Sequence, residues 1–518
     1  MSDRSTVTIL GRWLLRVVVL VLALHFVFGL VLANRVSPPA ALAFLIALAL
    51  ALPIARQLPF LGRPGVRGAC LILLLLAANV WLSSGDREDL QRQAMAFVGA
   101  TILTGQLDAA PIANGVVLVD ADGRISRVGD SSVQVPAGHE LLDLTGKYLV
   151  PGLINAHGHL MLNGGVPGEK AALPAILSTP WLANAVFAFL QTYPGKRVVL
   201  EMMERHVQLA LRSGVTTLRG LGDPLFLDVE LRDRIAAGRL LGPRLLVAGP
   251  ILAITGGHAH QIGQVFDGAD GARRAVRLNL SRQVDLIKIA STGGVSDSRR
   301  LGEAGELQMT PEELAAIVDE AHRKNVLVTA HAESAQGVLE VLEAGVDNVE
   351  HGAELSARAL ALFRNNPKSL RGYTTLHPTL SVVARARELP EAAEGNRILQ
   401  IMTINGNEIR RRMIRGFQQA HEGGVKIGVG TDAGIVDHGS VWMEMTFFEE
   451  FGGISRARAI HLATLGTAES IGVAEITGSI EAGKYADLVV LDRDPLEDLA
   501  AFSAPSLVVA RGYRVPAE

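Results

Sequence analysis

Leu149-Val-Pro-Gly-Leu-Ile-Asn-Ala-His157-Gly-His159 decides how this 518-residue chain is read. Leu149, Val150, Leu153 and Ile154 read as one buried strand, which stops at two histidines spaced i and i+2. Alternate side chains of a strand share a face, so both imidazoles point to the same side. Neutral imidazole is a ligand for zinc and similar ions. Two histidines at a strand end also serve as ordinary hydrogen-bonded loop residues, so the metal reading depends on partners elsewhere in the chain.

Seven further strand-like runs follow, at Val215–Leu218, Arg244–Ala248, Asp285–Ala290, Val326–Ala330, Asn348–Glu350, Tyr373–Leu376 and Lys426–Gly430. Amphipathic stretches fill several of the gaps. One opens with Thr310-Pro-Glu-Glu313, a capping-box start with proline at the first helical position. Eight βα repeats predict an α/β fold, a (β/α)8 TIM barrel with its active site at the C-terminal strand ends. Ahead of it, Val116–Val119, the turn Asp120-Ala-Asp-Gly123 and Ile125–Val128 predict a small antiparallel unit. Behind it, Gly478–Gly483, Asp487–Asp492 and Ser506–Val509 predict a matching one. The two fragments suggest a small β-sandwich formed from both ends of the soluble chain, over 95–147 and 476–518, around a barrel at 148–475.

The net charge of −3 indicates no nucleic-acid surface, and the single Cys70 excludes an intrachain disulfide and a cysteine-rich metal site. Apolar runs at Trp13–Ala33, Ala40–Ile54 and Ala69–Leu82 predict transmembrane helices, about three, making residues 1–84 a membrane anchor with 85–94 as linker. A cleaved signal peptide is the alternative for the first run. Arg4, Arg12 and Arg16 before that run, and Arg56, Arg63 and Arg67 between the second and third, place both segments in the cytoplasm. Three spans put the catalytic part outside the cytoplasm; two would leave it inside. Ala171–Tyr193 is strongly apolar and carries Pro174 and Pro180. It reads either as an elaborated barrel helix or as a lid or membrane-resting surface.

Metal-capable residues recur where barrel strands end. Lys288 sits amid Leu286, Ile287 and Ile289, the fifth run ends in Thr329-Ala-His331-Ala-Glu, the sixth in Val349-Glu-His351-Gly, and the eighth in Gly428-Val-Gly-Thr-Asp432-Ala-Gly434. Each alone has a plain reading as a satisfied polar group or turn residue. Together they converge on one end of a barrel. A buried lysine favours its neutral amine, which can add carbon dioxide and become a carbamate able to bridge two cations. The plain alternative is a lysine paired with an acid inside the barrel.

With these motifs in hand, the chain over about residues 95–515 resembles the amidohydrolase superfamily, in the branch of imidazolonepropionase-related proteins and Xaa-Pro dipeptidases. The resemblance rests on Gly152–His159, Asp285–Gly294, Thr329–Glu333, Asn348–Gly352, Thr431–Gly434 and Gly483–Asp487. It implies a binuclear metal centre, usually zinc. His157, His159 and Asp432 would hold one ion and His331 and His351 the other, with carboxylated Lys288 and a hydroxide between them. Two cations would lower the pKa of the shared water and polarise the scissile carbonyl. Asp432 would act as the acid/base, taking the proton and passing it to the leaving amine.

Substrate-binding candidates are His258 and His260 in Gly256-Gly-His-Ala-His, Arg219 at the end of the second strand, and His377 at the end of the seventh. His260 reads equally as a loop residue, and Gly220, where relatives often carry an acid, leaves the pairing of Arg219 open. Arg299 and Arg300 read as a solvated pair or as carboxylate ligands, and His206 and His438 as structural. The expected activity is hydrolysis of a carbon–nitrogen (amide) bond in a dipeptide or N-acyl amino acid. A mononuclear deaminase or cyclic amide or imide hydrolase is the alternative enzyme, although Lys288 argues against one metal. The alternative of another class is an inactive membrane-anchored binding protein. Partners are then a small amide or dipeptide and the membrane, with no nucleic acid, and a homo-oligomer remains open.

Overall fold

A computed structural model describes residues 90–162, 188, 190–382 and 397–516. The chain divides into two compact units, Met1–Asp89 with Pro180–Met202, and Leu90–Thr179 with Met203–Glu518. In the first, the described residues lead into and begin helix α1, Tyr193–Arg212. Among the described residues no helix is long and apolar enough to cross a membrane. The three apolar runs expected to span one lie outside the described residues, as does most of the apolar stretch from 171 to 193.

The second unit opens with β1 (Met95–Ile102), β2 (Ile112–Val119), β3 (Ile125–Gly129), β4 (Glu140–Asp143) and β5 (Tyr148–Pro151). Next in sequence, the barrel wall contains the parallel strands β6 (Leu153–Gly158), β7 (Val215–Gly220) and β8 (Arg244–Val247). A short parallel pair, β9 (Leu252–Ile254) and β10 (Gln264–Phe266), follows. The wall resumes with β11 (Leu286–Ala290), β12 (Leu327–Ala332), β13 (Asn348–His351) and β14 (Thr375–His377). The chain closes with β15 (Leu488–Leu491), β16 (Leu507–Ala510) and β17 (Tyr513–Arg514).

Instead of the two packed sheets of a sandwich, the strands from both chain ends form one eight-stranded sheet, ordered β17-β16-β15-β5-β1-β2-β3 with β4 on β1. The ends meet where β15 runs antiparallel to β5, Val489 opposite Val150. Strand alternation gives this sheet two apolar faces. Met95, Phe97, Val117 and Val119 pack on one side, and Ala96, Val116 and Leu118 on the other. Each such valine, leucine, phenylalanine or methionine side chain, fully buried, stabilises the fold by roughly 1.5–3 kcal/mol.

The run expected as one strand from Leu149 to Asn155 is two. Gly152 N–H donates to Asp487 O in the eight-stranded sheet, whereas Leu153 N–H donates to Gly214 O in the barrel, both at 2.8 Å. The chain changes sheets at that point. Only glycine fits there, because a Cβ on residue 152 would stand 2.0 Å from Thr216 Oγ1.

The barrel wall is hydrogen-bonded as two ladders, β6-β7-β8 and β10-β9-β11-β12-β13-β14. Between β8 and β11 the link is Asp285, whose amide donates to Val247 O (2.8 Å) and whose carboxylate accepts from Val247 N–H (2.9 Å). The eighth strand, expected over Lys426–Gly430, is present only as isolated parallel bridges, Leu376 to Ile427 on one side and Gly158 to Ala433 on the other. Gly428 N–H donates to Leu376 O (3.0 Å) and Ala156 N–H to Val429 O (2.9 Å), so this segment still touches both neighbours. The wall is therefore barrel-like without being one continuous closed ladder.

The helices used below are α2 (Leu227–Ala236), α3 (Gly268–Ser281), α4 (Pro311–His322), α5 (Ala335–Ala344), α6 (Ala357–Arg364), α7 (Arg397–Glu422) and α8 (Val441–Gly452). The start read from Thr310 is a capping box: Thr310 Oγ1 accepts from Glu313 N–H and the Glu313 carboxylate accepts from Thr310 N–H. It sets the register that buries Leu314, Ile317, Val318 and Ala321 of α4.

Candidate metal centre

Parallel strands that all end on one side bring their terminal side chains together. β6 delivers His157 and, one step on, His159; β11 delivers Lys288; β12 delivers His331; β13 ends on His351. Asp432 comes from the segment of isolated bridges. His351 (φ 68°) and Asp432 (φ 59°) both adopt the left-handed region, at a cost of about 1–2 kcal/mol each for a residue with a Cβ. Strain of this kind collects at functional sites.

His159 Nε2 stands 3.1 Å and His157 Nε2 3.4 Å from Asp432 Oδ1. Neither approach is aligned as a hydrogen bond, and Oδ1 is buried with no hydrogen-bond partner among the described residues. Donor atoms of His157, His351 and Asp432 lie within 4.8 Å of one another, and so do those of His331, Glu333 and His351. The His157 and His351 ring centroids are 5.1 Å apart, and those of His331 and His351 4.6 Å.

Lys288 is fully buried and its Nζ has no hydrogen-bond partner among the described residues, so the paired-lysine alternative is not what the structure contains. Buried polar groups almost always find partners. Here Lys288 Nζ, Asp432 Oδ1 and Glu333 Oε2 are all without one, amid four imidazoles. That set of donors fits divalent cations.

The protonation states agree. Burial, and after it the Lys288 charge, pushes His157 down to about 4, and burial holds His331 and His351 well below the ordinary imidazole value. All three carry free lone pairs at neutral pH. Burial pushes Lys288 down to about 8, toward the neutral amine. Burial opposes ionisation of Asp432, but His157, His159 and His351 outweigh it and hold the carboxyl below its usual range. Glu333 goes the other way, raised by burial and by the nearby Asp432 and Asp297 carboxylates.

Neighbours settle which imidazole nitrogen faces the centre. His157 Nδ1–H donates to Glu350 Oε2 (2.8 Å), leaving Nε2 bare. Thr379 donates its hydroxyl hydrogen to Pro378 O (2.8 Å), so it can only accept from His351 Nδ1–H (2.8 Å), and His351 Nε2 is bare too. Thr379 is held by the turn after it, where Leu380 N–H, Ser381 N–H and Ser381 Oγ all donate to the buried Glu444 carboxylate on α8, at 2.6–2.7 Å. The segment after His159 is fixed by Asp223, which accepts from Leu160 and Met161 N–H. His206 and His438 stack with centroids 4.8 Å apart and donate to Leu160 O and Leu162 O. They are structural, as the sequence suggests.

Arg219 and His377, expected to meet substrate, are both buried and bonded to neighbouring side chains. Arg219 is 1% exposed and His377 0%. Arg219 donates from Nη2 to Glu350 Oε1 (2.6 Å), from Nη1 to Asn348 Oδ1 (2.9 Å) and from Nε to Ala156 O (2.6 Å). His377 Nε2–H donates to Ser470 Oγ (2.9 Å), whose own hydrogen goes to Thr467 O. His377 Nδ1 therefore accepts from Arg219 Nη2 (3.1 Å). It also lies 3.1 Å from Glu350 Oε1, but burial lowers the imidazole pKa, so this is no ion pair. Both side chains work beneath the centre, on Glu350 and through it on His157.

His258 stands beside His331. Its ring centroid is 4.4 Å from that of His331, and Nδ1 pairs with Asp297 Oδ1 at 2.8 Å. A Cβ on Gly294 would press within 2.4 Å of that ring, which is why the loop after β11 carries glycine there. His260 instead turns back on its own loop, with Nδ1 2.9 Å from Gly257 O. Sequence reading passed over Glu333, Glu350, Asp297, Thr379 and Glu444. Glu333 had a usable signal, standing at i+2 from His331 as His159 does from His157. Nothing local marks Thr379 or Glu444.

Histidine, aspartate and lysine side chains at the C-terminal ends of parallel strands, joined to a β-sheet made from both ends of the unit, define a metal-binding barrel class. Residues 148–514 match the Amidohydrolase family, and the chain belongs to it. A solved structure from Bifidobacterium longum, provisionally described as a prolidase, is 38% identical with a TM-score of 0.69, over 82% of this chain and 95% of that one. A Xaa-Pro dipeptidase with bound methionine in its active site is 26% identical with a TM-score of 0.69, over 82% of this chain and 100% of that one. The ochratoxinase of Aspergillus niger is 29% identical over 325 residues, 58% of this chain and 64% of the ochratoxinase length.

Proposed function

We propose that this chain hydrolyses the carbon–nitrogen bond of a small amide, a dipeptide or an N-acyl amino acid, at a centre of two divalent cations, zinc in the simplest case. The observation that carries the reading is the convergence of bare imidazole nitrogens on three buried polar atoms without partners. His157, His159 and Asp432 would hold one ion and His331 and His351 the other, with Lys288 between them as its carbon dioxide-derived carbamate. When bound, such a pair of cations supplies Lewis-acid polarisation of the scissile carbonyl and a lowered pKa for a shared water.

The chain's own residues do the rest. Asp432 is ionised and buried, so it takes a proton from the attacking water and returns it to the leaving amine, one oxygen facing the imidazoles while the other handles the proton. Glu350 holds His157, and Thr379 holds His351, in the tautomers that leave Nε2 free. His258, steadied by Asp297, contacts the substrate carbonyl or carboxylate beside the second group. Likeness to prolidase and Xaa-Pro dipeptidase structures supports a dipeptide. The apolar runs before residue 85 support tethering of this centre to a membrane.

Purified zinc-loaded protein, assayed against prolyl dipeptides, other dipeptides and N-acyl amino acids alongside metal analysis, tests the reading. Hydrolysis of at least one amide class with close to two ions per chain is expected. A centre that holds only one ion, or that cleaves none of these substrates, overturns it.

A further inference from the structure

His351 belongs to two donor clusters at once, with His157 and Asp432 on one side and with His331 and Glu333 on the other. It has one nitrogen to offer, because Nδ1–H is committed to Thr379 Oγ1. His157 and His159 bring Nε2 to 3.4 and 3.1 Å from Asp432 Oδ1, so in the two-cation reading these three side chains hold the first ion. In that reading His351 joins His331 on the second ion, where the carbamate of Lys288 would be shared with the first ion and no carboxylate of the second ion's own is yet assigned.

Glu333 supplies one. Its Oε2 is 3.8 Å from His331 Nε2, too long for a hydrogen bond, and the contact of that nitrogen with Gly293 O is long as well, at 3.4 Å. Bonds of about 2.1 Å to a shared ion place tetrahedral neighbours ~3.4 Å apart and allow ~4.2 Å at the widest angle, so 3.8 Å suits two ligands of one ion. Oε2 is buried with no hydrogen-bond partner among the described residues, and the backbone is pinned by Glu333 N–H donating to Thr292 Oγ1 (3.0 Å).

We infer that Glu333 is the third side-chain ligand of the second ion, so that each ion is held by two imidazoles and one carboxylate of the chain. The inference rests on the two-cation reading above. It makes capture of the second ion independent of any modification of Lys288, which then serves only as the bridge.

Zinc counted per chain after equilibration and dialysis tests this without any turnover assay, on the full-length protein and its Glu333→Gln and Glu333→Asp variants. Two equivalents are expected for the unaltered chain and one for Glu333→Gln. The weaker site in Glu333→Asp should fall between the two, and circular dichroism should match throughout. The second-site loss should exceed the ~10–100-fold typical of an outer-shell partner. Two equivalents of unchanged affinity in Glu333→Gln overturn the inference while leaving the two-cation reading intact. If that variant also loses dipeptides but keeps their N-acetylated counterparts, Glu333 receives the substrate ammonium instead. One equivalent in the unaltered chain overturns the two-cation reading itself, and the inference with it.

Discussion

Replacing Thr379 by valine removes one hydroxyl and very little else, and it should weaken metal binding at a residue it does not share. Thr379 and valine are both branched at Cβ and nearly isosteric, so the left-handed backbone at this position (φ 50°) is strained equally in each. The difference is the acceptor for His351 Nδ1–H, now 2.8 Å away and buried. A buried donor left without a partner costs about 1–3 kcal/mol. The imidazole recovers part of this by rotating or by moving its proton to Nε2, and either change withdraws the lone pair that faces the centre. Loss of an outer-shell partner of a metal-bound histidine typically lowers affinity ~10–100-fold, or about 1.4–2.7 kcal/mol at 1.4 kcal/mol per decade. The two ranges overlap, so most of the orphaned-donor cost should appear as lost affinity.

The measurement is competition between metal-free protein and a chromophoric chelator for zinc. In Thr379→Val one of the two sites should weaken by about 10–100-fold and the other should hold. Thr379→Ser keeps the oxygen and should recover most of the loss. Unchanged affinities in Thr379→Val, or a serine variant as weak as the valine one, would refute the account of how His351 is oriented.

Glu350→Gln leaves the Arg219 guanidinium buried without its carboxylate and should destabilise the metal-free protein by roughly 3–5 kcal/mol, read from urea unfolding; a change within error would mean that water reaches Arg219. Asp432→Asn preserves shape and should lower kcat by at least about 100-fold with an unaltered circular dichroism spectrum; near-normal turnover would remove Asp432 as the acid/base. Burial pushes Glu444 up to about 7 against an ordinary 4.5, a raised folded-state value, so its contribution is greatest below 4.5 and is lost as pH climbs toward 7. The stability of the native chain minus that of Glu444→Gln should therefore fall across pH 4.5–7 and level off above, and a difference that rises over that window would contradict the burial argument.

Much of the barrel was legible because strand periodicity and apolar runs are local properties. Seven of the eight expected runs coincide with wall strands, and the candidate ligands His157, His331 and His351 fall at or next to their C-terminal ends. What escaped reading depends on partners. Leu149–Ile154 is apolar throughout, and nothing within it says that the chain leaves one sheet for another at Gly152; that follows from where Asp487 and Gly214 lie. Lys426–Gly430 looks like its neighbours in composition, yet it meets β14 and β6 at separate points. Arg219 and His377 were assigned to substrate because a polar residue at a strand tip reads the same whether it turns toward the ligand or under it. The deciding fact is Glu350, which lies 131 residues from Arg219 and fills the space between them. Glu444 reaches His351 only through a turn and a hydroxyl, a route with no periodicity to detect.

The placement of Glu350 also explains why so much charge is buried where an apolar core would be cheaper. A buried ion pair is a weak source of stability compared with well-packed apolar side chains, so Arg219 and Glu350 are poorly accounted for as stabilisers. Each has a further contact that an apolar pair cannot make. Glu350 Oε2 takes the His157 proton and raises the basicity of the nitrogen that faces the centre, while Oε1 is neutralised by Arg219. Burial and the Lys288 charge keep the imidazole neutral beside Glu350 and Asp432, while Arg219 helps to hold Glu350 ionised. Arg219 thus keeps Glu350 an anion able to accept from His157 Nδ1–H and fix its tautomer. His351 is braced instead by the neutral Thr379 hydroxyl, which fixes its tautomer without a charge.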